Sequence, residues 1–258
     1  MKIALILTGQ LRTYKSTYNN LKKFIIDDLQ PDIYISTWSK VGASHKEFFF
    51  SRKKAEKKIS KQSLQDFYNT DFVNVEEFSK SYFEKIEKVK IPKKLKVIEP
   101  NNWKGTLPMY YQMMRGFQMI EENTNQYDFV IRMRPDYILN NFLDEKVFGK
   151  KNTLYFNSFD ADAEWQVGDK INIGDYETIA YSCSVFHKLN EYWKNPAGKG
   201  DWFTHRVGEK LLKYHFDISN EFTAEPIYID GTILRQDKIS SRLTNMYTFF
   251  RRHMYDNK

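Results

Sequence analysis

The segment Arg132-Met133-Arg134-Pro135-Asp136 places two guanidiniums and a carboxylate within five residues. If the residues before Pro135 form a strand, alternation puts Arg132 and Arg134 on one side, with Asp136 following at the strand's end. Such charges are costly at the edge of a buried sheet unless they pair or meet a ligand. Two outcomes are open: an internal Arg–Asp salt bridge that holds the loop, or a diphosphate site with Asp136 as ligand to a divalent cation. A second group is Thr8-Gly9-Gln10-Leu11-Arg12. Gly9 lets the backbone approach a ligand closely, Gln10 can hydrogen-bond a base or ribose, and Arg12 can pair with phosphate. Ser36-Thr37-Trp38 ends in an indole that offers a stacking face. Each of these short groups also has the make-up of an ordinary turn after a strand.

Further carboxylates are candidates for chemistry. Asp169 lies in a loop bracketed by Gly168 and Gly174, and is the first choice for taking a proton from an attacking hydroxyl. Glu209 and Asp201 come next, and any of the three could be a surface carboxylate. Asp160-Ala161-Asp162 is a literal Asp-x-Asp, a pattern common by chance; it could hold a metal, hold an acceptor or be a solvated loop. The five histidines (His45, His187, His205, His215 and His253) show no metal-ligand spacing. A structural or surface role suits His205 and His215.

Elements that position these groups follow from the hydrophobic pattern. Ile3–Leu7 reads as a buried strand, followed by a helix carrying Tyr14, Tyr18, Leu21, Ile25 and Leu29, a stop at Pro31 and a strand over 32–37. That is the size of a βαβ unit, which implies parallel pairing. A Lys-rich stretch over 41–96 predicts helices near 48–68 and 76–89 and a short strand near 96–98. Thr106 can cap a helix with Pro108 in its first turn and an apolar stripe of Met109, Tyr110, Met113, Met114, Phe117 and Ile120. Tyr127–Met133 reads as a central strand that must end at Pro135. Beyond it come a strand over 153–157, helices over 176–189 and 202–214, and a last strand over 227–229. The alternation predicts one α/β domain over 1–258, with a mostly parallel central sheet and helices on both faces. Ligands bind such sheets at the carboxyl ends of the strands, where the three motifs fall.

Composition narrows the classes. Hydrophobic content of 41% in 258 residues is enough for a globular core and excludes global disorder. One cysteine, Cys183, can make no internal disulfide, which points to a reducing compartment. Only five consecutive apolar residues open the chain, too few for a signal-peptide core or a membrane span, so a cytoplasmic protein is expected. The net charge of +7 favours anionic partners.

Taken in order, Leu-Thr-Gly-Gln-Leu-Arg, Pro-Asp-Ile-Tyr-Ile-Ser-Thr-Trp, Tyr-Asp-Phe-Val-Ile-Arg-Met-Arg-Pro-Asp, Gly168-Asp169-Lys170 through Gly174 and the Glu209-Lys-Leu-Leu helix resemble a known family. It is the bacterial and viral glycosyltransferases of the nucleotide-diphospho-sugar (GT-A) class, especially small capsule and lipopolysaccharide enzymes. The resemblance spans roughly 2–38 and 106–214. It implies a Rossmann-like GT-A fold, with a nucleotide-binding half over 1–136 and an acceptor-binding half over 137–258. It also implies transfer of a sugar from a nucleotide-diphosphate donor, with UDP as the expected base carrier, to a polysaccharide or glycolipid. In such enzymes Arg-x-Arg-Pro-Asp stands where a metal-binding Asp-x-Asp would, which carries an Mn2+ or Mg2+ role onto Asp136. Gly9, Gln10, Arg12, Trp38, Arg132 and Arg134 would then hold the donor, and Asp169 and Glu209 would serve catalysis. The chain departs from the usual pattern in having Arg-Pro-Asp, so the two arginines could neutralise the diphosphate themselves.

Two other classes share some of these features. A nucleotidyltransferase shares the sheet but needs a longer Gly-rich loop than Gly9–Arg12 supplies. A basic nucleic-acid-binding domain suits the charge and aromatic content, yet no helix-turn-helix, zinc or single-strand signature is present. The stretch 240–258 interleaves Leu243, Met246, Tyr247, Phe249, Phe250 and Met254 with Arg242, Arg251, Arg252 and Lys258. It can dock on an anionic membrane surface or pack on the domain as a terminal helix. Vesicle co-sedimentation separates the two: docking predicts binding that needs anionic lipid, weakens with salt and vanishes when the chain ends at Ser240. A truncated chain that loses thermal stability with no lipid effect assigns the segment to the core.

Overall fold

The strand β1 (Ile3–Gly9) is buried from Ile3 through Thr8, as expected of a strand covered on both faces. It belongs to a computed structural model that describes residues 1–41, 57–77, 102–123, 125–157, 167–192 and 207–234. The helix α1 (Tyr14–Leu21) follows, continued by a π-helical turn (Lys22–Ile26) and α2 (Asp27–Leu29). Gln30 ends the run in a left-handed conformation, and β2 (Asp32–Trp38) lies parallel to β1. The predicted βαβ unit is therefore present.

After β2 the chain gives β3 (Lys40–Val41), β4 (Lys57–Lys58), α3 (Lys61–Tyr68) and β5 (Val73–Glu76). The expected helix over 48–68 is corrected here. Lys57 and Lys58 pair with β3, Ile59 is buried with its amide on the Ser39 carbonyl, and Ser60 caps the helix by accepting from the Ser63 amide. Glu76 is likewise in a strand, not at the start of a helix. Residues 78–89 of the proposed helix and the 96–98 strand lie outside the described residues, as do 202–206, Asp160, Asp162 and the stretch 240–258.

The helix α4 (Asn102–Glu121) starts five residues earlier than the Thr106 cap implied, so Pro108 sits in its interior. Next come β6 (Phe129–Met133), β7 (Tyr137–Leu139), a 3-10 turn (Glu145–Phe148) and β8 (Thr153–Asn157). Then β9 (Ile171–Asp175) runs into α5 (Tyr176–Tyr192), followed by α6 (Val207–Asp217), β10 (Thr223–Ile227) and β11 (Gly231–Ile233). The single strand expected over 227–229 is replaced by these last two. β10 takes the sheet edge, where Pro226 needs no donor, and β11 pairs with β7.

Seven strands form one sheet in the order β10-β8-β9-β6-β1-β2-β5. All neighbours are parallel except at β9, which runs antiparallel to both β6 and β8. The fold is thus α/β with a mostly parallel sheet. Ala4, Ile6, Tyr34 and Val130 pack under α4, α5 and α6, whereas Leu5, Leu7, Ile35 and Ile131 pack under α1 and α3. Helices cover both faces. β9 hides in the sequence because only Ile171 and Ile173 are apolar; they point to the α1 side, and Asp175 accepts from the Thr178 amide at 2.8 Å to start α5 at once.

Gly116 lets α4 lie close on the sheet. A Cβ there would stand 2.6 Å from Ile6 Cγ2 and 3.1 Å from Thr8 Cγ2. On the same layer α5 and α6 are joined through His215. Its Nε2 donates to the Tyr181 carbonyl at 2.8 Å, so Nδ1 accepts from the Tyr192 hydroxyl, and the ring stacks on Tyr181 at 3.9 Å. Among the described residues no helix is long and apolar enough to cross a membrane.

Burial pushes the His215 imidazole down from 6.5 to about 4, against the pull of the Tyr181 carbonyl. Between those values the unfolded chain takes a proton that the folded chain refuses. Stability present above pH 6.5 is therefore lost as pH falls through about 4, by on the order of 3 kcal/mol. His215→Gln should flatten the thermal midpoint against pH across that window, even if it starts lower at pH 7. Parallel curves for the two proteins would assign the acid sensitivity elsewhere.

Candidate functional site

β1 is where the sheet changes direction. The chain adds β2 and β5 on one side of it and β6 on the other, all parallel. Loops leaving β1 and β6 at their carboxyl ends must therefore part, and the crevice between them is the usual ligand site of such a sheet. Gly9 ends β1 at φ +118°, a conformation side chains rarely adopt, and a Cβ there would meet nothing within 4 Å. Its carbonyl accepts from Thr37 Oγ1 at 2.7 Å. Gln10 is half-buried in the same turn.

From the other lip, the Arg134-Pro135-Asp136 turn leaves β6. Main-chain bonds fix it from three sides. The Arg134 amide donates to the Lys170 carbonyl at 2.9 Å, Thr17 Oγ1 to the Pro135 carbonyl at 2.6 Å, and the Leu234 amide to the Asp136 carbonyl at 2.8 Å. The Asp136 side chain is 1% exposed. Arg12 Nε donates to its Oδ2 at 3.0 Å, and Arg12 Nη2 to the same oxygen at 2.5 Å. Arg134 reaches Oδ1 through Nε at 2.9 Å and Oδ2 through Nη2 at 3.0 Å. The salt bridge left open by the sequence is formed, with Arg12 as a partner the sequence did not pair with Asp136.

The network continues to Asp169, whose Oδ2 accepts from Arg134 Nη1 at 3.3 Å. Arg132 is fully buried under the helices. Its Nε donates to Thr8 Oγ1 at 2.7 Å and its Nη1 to the Asp169 carbonyl, while Asn172 Nδ2 donates to the Gly168 carbonyl at 2.8 Å. Arg132 thus holds the Asp169 backbone, and Arg134 holds its carboxylate. Burial pushes the Asp136 carboxyl up, but Arg134 and Arg12 outweigh it and leave it below the usual range. For Arg134, burial lowers and the Asp136 and Asp169 carboxylates raise, the latter prevailing. Arg132 is lowered by burial, with Asp169 only partly restoring it.

Arg12, Arg134, Asp136 and Asp169 are therefore brought together where the Gly9-Gln10 turn leaves β1, and Arg132 lies buried beneath, bonded to the Asp169 backbone. Trp38 is not offered as an open stacking face: it is 5% exposed and stacks on Tyr111 with ring centres 5.9 Å apart. Glu209 lies in the first turn of α6, its carbonyl accepting from the Val167 amide at 3.0 Å. It stands in the field of Tyr110, whose hydroxyl donates to the Gly208 carbonyl and is raised first by burial and then by Glu209 and Asp169. His187 is exposed on α5, and Asp201, His45, His205 and His253 are outside the described residues. Sequence reasoning missed Thr17 and Asn172, and the bond from Arg132 to Thr8, which depend on which strand lies beside which.

Asp136 does not fit the expected metal role in this arrangement. Its Oδ2 accepts three guanidinium N–H contacts and its Oδ1 one, and the side chain is 1% exposed. A cation would have to reach a buried carboxylate held between the guanidiniums of Arg12 and Arg134. Among the described residues, no group of three or more His, Cys, Asp or Glu could hold a metal ion.

No family model matches the chain, and no curated protein sequence matches it. Two solved structures are similar in shape: the apo form and a second crystal structure of the glycosyltransferase GlyE from Streptococcus pneumoniae TIGR4. They share 10% and 9% identity at TM-scores of 0.46 and 0.43. Each alignment covers 87% of this chain and 45% of that one, so the chain spans less than half of the structure it matches.

Asp136→Asn removes the buried charge that two partly exposed guanidiniums share. The expected loss is about 3 to 5 kcal/mol at neutral pH, read by urea unfolding. Since the folded carboxyl titrates below 3.8, that contribution is complete above pH 3.8 and is lost as pH falls through the folded value. The deficit of the variant should accordingly shrink only under strongly acid conditions. A variant as stable as the parent at pH 7 contradicts the lock.

Proposed function

We propose that the chain is a glycosyltransferase that binds a nucleotide-diphosphate sugar in the β1/β6 crevice and transfers the sugar to a carbohydrate or lipid-linked acceptor. The observation that supports this reading is the meeting of Arg12, Arg134 and Asp136 beside the open face of Gly9, at the point where the sheet's strand order reverses. Departure of a nucleoside diphosphate builds negative charge, and guanidiniums held in place offset it without reorganising. The ordered motifs of the sequence resemble the capsule and lipopolysaccharide enzymes of the GT-A class, which makes UDP the first donor to try and a surface polysaccharide the first acceptor.

In this reading residues 1–136 bind the donor and 137–258 the acceptor. Gly9 gives the donor close approach to the backbone, Gln10 reads its base or ribose, and Arg12 and Arg134 face its phosphates. Asp169 takes the acceptor hydroxyl's proton, with Glu209 the second choice for that step. Arg132 positions Asp169 by its bond to the Asp169 carbonyl.

A thermal-shift panel of UDP, GDP, CDP and ADP tests the donor class. One diphosphate at 100 times its dissociation constant should stabilise the protein by about 2.7 kcal/mol. Incubation of the matching nucleotide-sugar should release that diphosphate. Gly9→Val should weaken the shift at least tenfold in ligand concentration, besides lowering the unliganded midpoint through its φ of +118°. Stabilisation by oligonucleotide, with none by any diphosphate, overturns the reading.

A further inference from the structure

A carboxylate that ligates a divalent cation must present a lone pair to it, in an octahedral shell completed by other oxygens. Asp136 is buried with both oxygens engaged by Arg12 and Arg134, and the next carboxylate, Asp169, also faces Arg134. Two guanidiniums closing on the one buried carboxylate of Asp136 hinder a cation from reaching it and leave N–H groups that an anion can share. The two arginines on Asp136 also differ in how they are held. Arg12 comes from the turn after β1 and its side chain is 28% exposed; Arg134, at 24%, is gripped by Asp136 and Asp169 together.

We propose that this site binds the donor's diphosphate without a divalent cation. Arg12 and Arg134 supply the positive charge, and Asp136 is a positioning residue that holds both guanidiniums in place until phosphate oxygens share them. Arg12 is the one that turns from Asp136 to the phosphates, because it stands on the turn that follows the open face of Gly9, whereas Arg134 is held by both Asp136 and Asp169. A phosphate accepts the same forked pair of N–H bonds that a carboxylate does, so the exchange costs Arg12 little in geometry. The proposal rests on the donor-site reading above and assigns the charge that neutralises the diphosphate.

Calorimetric titration of the full chain with UDP, and with GDP, CDP and ADP in parallel, tests it in two buffers. One contains EDTA after exhaustive dialysis, and the other contains manganese. The dissociation constant should agree between them within about twofold, and Arg12→Ala should raise it tenfold or more in both. Asp136→Asn provides the readout that a purely structural role would not move. Without the carboxylate that positions both guanidiniums, it should bind the diphosphate at least fivefold more weakly in EDTA by the same calorimetry, and Asp136→Glu should recover part of that affinity; affinity equal to the parent's overturns the positioning role. If Asp136→Asn does not fold, the two-buffer comparison and Arg12→Ala still decide. Binding that requires manganese, or that Arg12→Ala leaves unchanged, overturns the cation-free proposal and leaves the donor site standing. Absence of binding by all four diphosphates in both buffers overturns the donor site, and the proposal with it.

Discussion

The carboxylate of Asp136 is held out of water between two guanidiniums, and much of the molecule is arranged around keeping it there. A buried charge with a missing partner is among the most destabilising defects a protein can carry. Arg12 and Arg134 must therefore arrive together, from loops that leave two neighbouring strands. The Pro135 and Asp136 carbonyls are bonded in turn by Thr17 and Leu234, so α1 and the segment after β11 share in fixing the turn. The lock joins the two lips of the crevice while leaving each arginine partly exposed.

The sheet makes this possible. β1 and β6 lie side by side and parallel, which sends both loops out at the same edge. The single reversed strand, β9, brings Asp169 back to that edge just before it begins, within reach of Arg132 and Arg134. Gly116 lets α4 settle on Ile6 and Thr8, closing the layer in which the Arg132 guanidinium is buried. A buried arginine is tolerable there because Thr8 and the Asp169 carbonyl accept its N–H groups.

Much of the framework was legible because its signals are local. Ile3–Leu7, Asp32–Thr37 and Tyr127–Met133 are short runs rich in Ile, Val, Phe and Tyr that close at Gly, Trp or Pro, and the structure has strands within all three. Arg132 and Arg134 on one face followed from strand alternation alone. What was not legible depends on neighbours. β9 has only two apolar residues, and β5 and β10 are edge strands with mixed sequence, so no periodicity marks them. Lys57 and Lys58 looked helical within a lysine run until β3 supplied a partner. Trp38 looked like a ligand platform because its stacking partner, Tyr111, is distant in sequence. The pairing of Arg12 with Asp136 spans 124 residues, and only strand order could reveal it.

The central claim is that the β1/β6 crevice is an anion site built from arginines and aimed at a nucleoside diphosphate. A crystal structure of the chain with the diphosphate that stabilises it most tests this directly. The account predicts phosphate oxygens beside Gly9, bonded to the guanidiniums of Arg12 and Arg134. Diphosphate bound elsewhere, with the Arg12–Asp136–Arg134 lock unchanged and the space beside Gly9 unfilled, would contradict it.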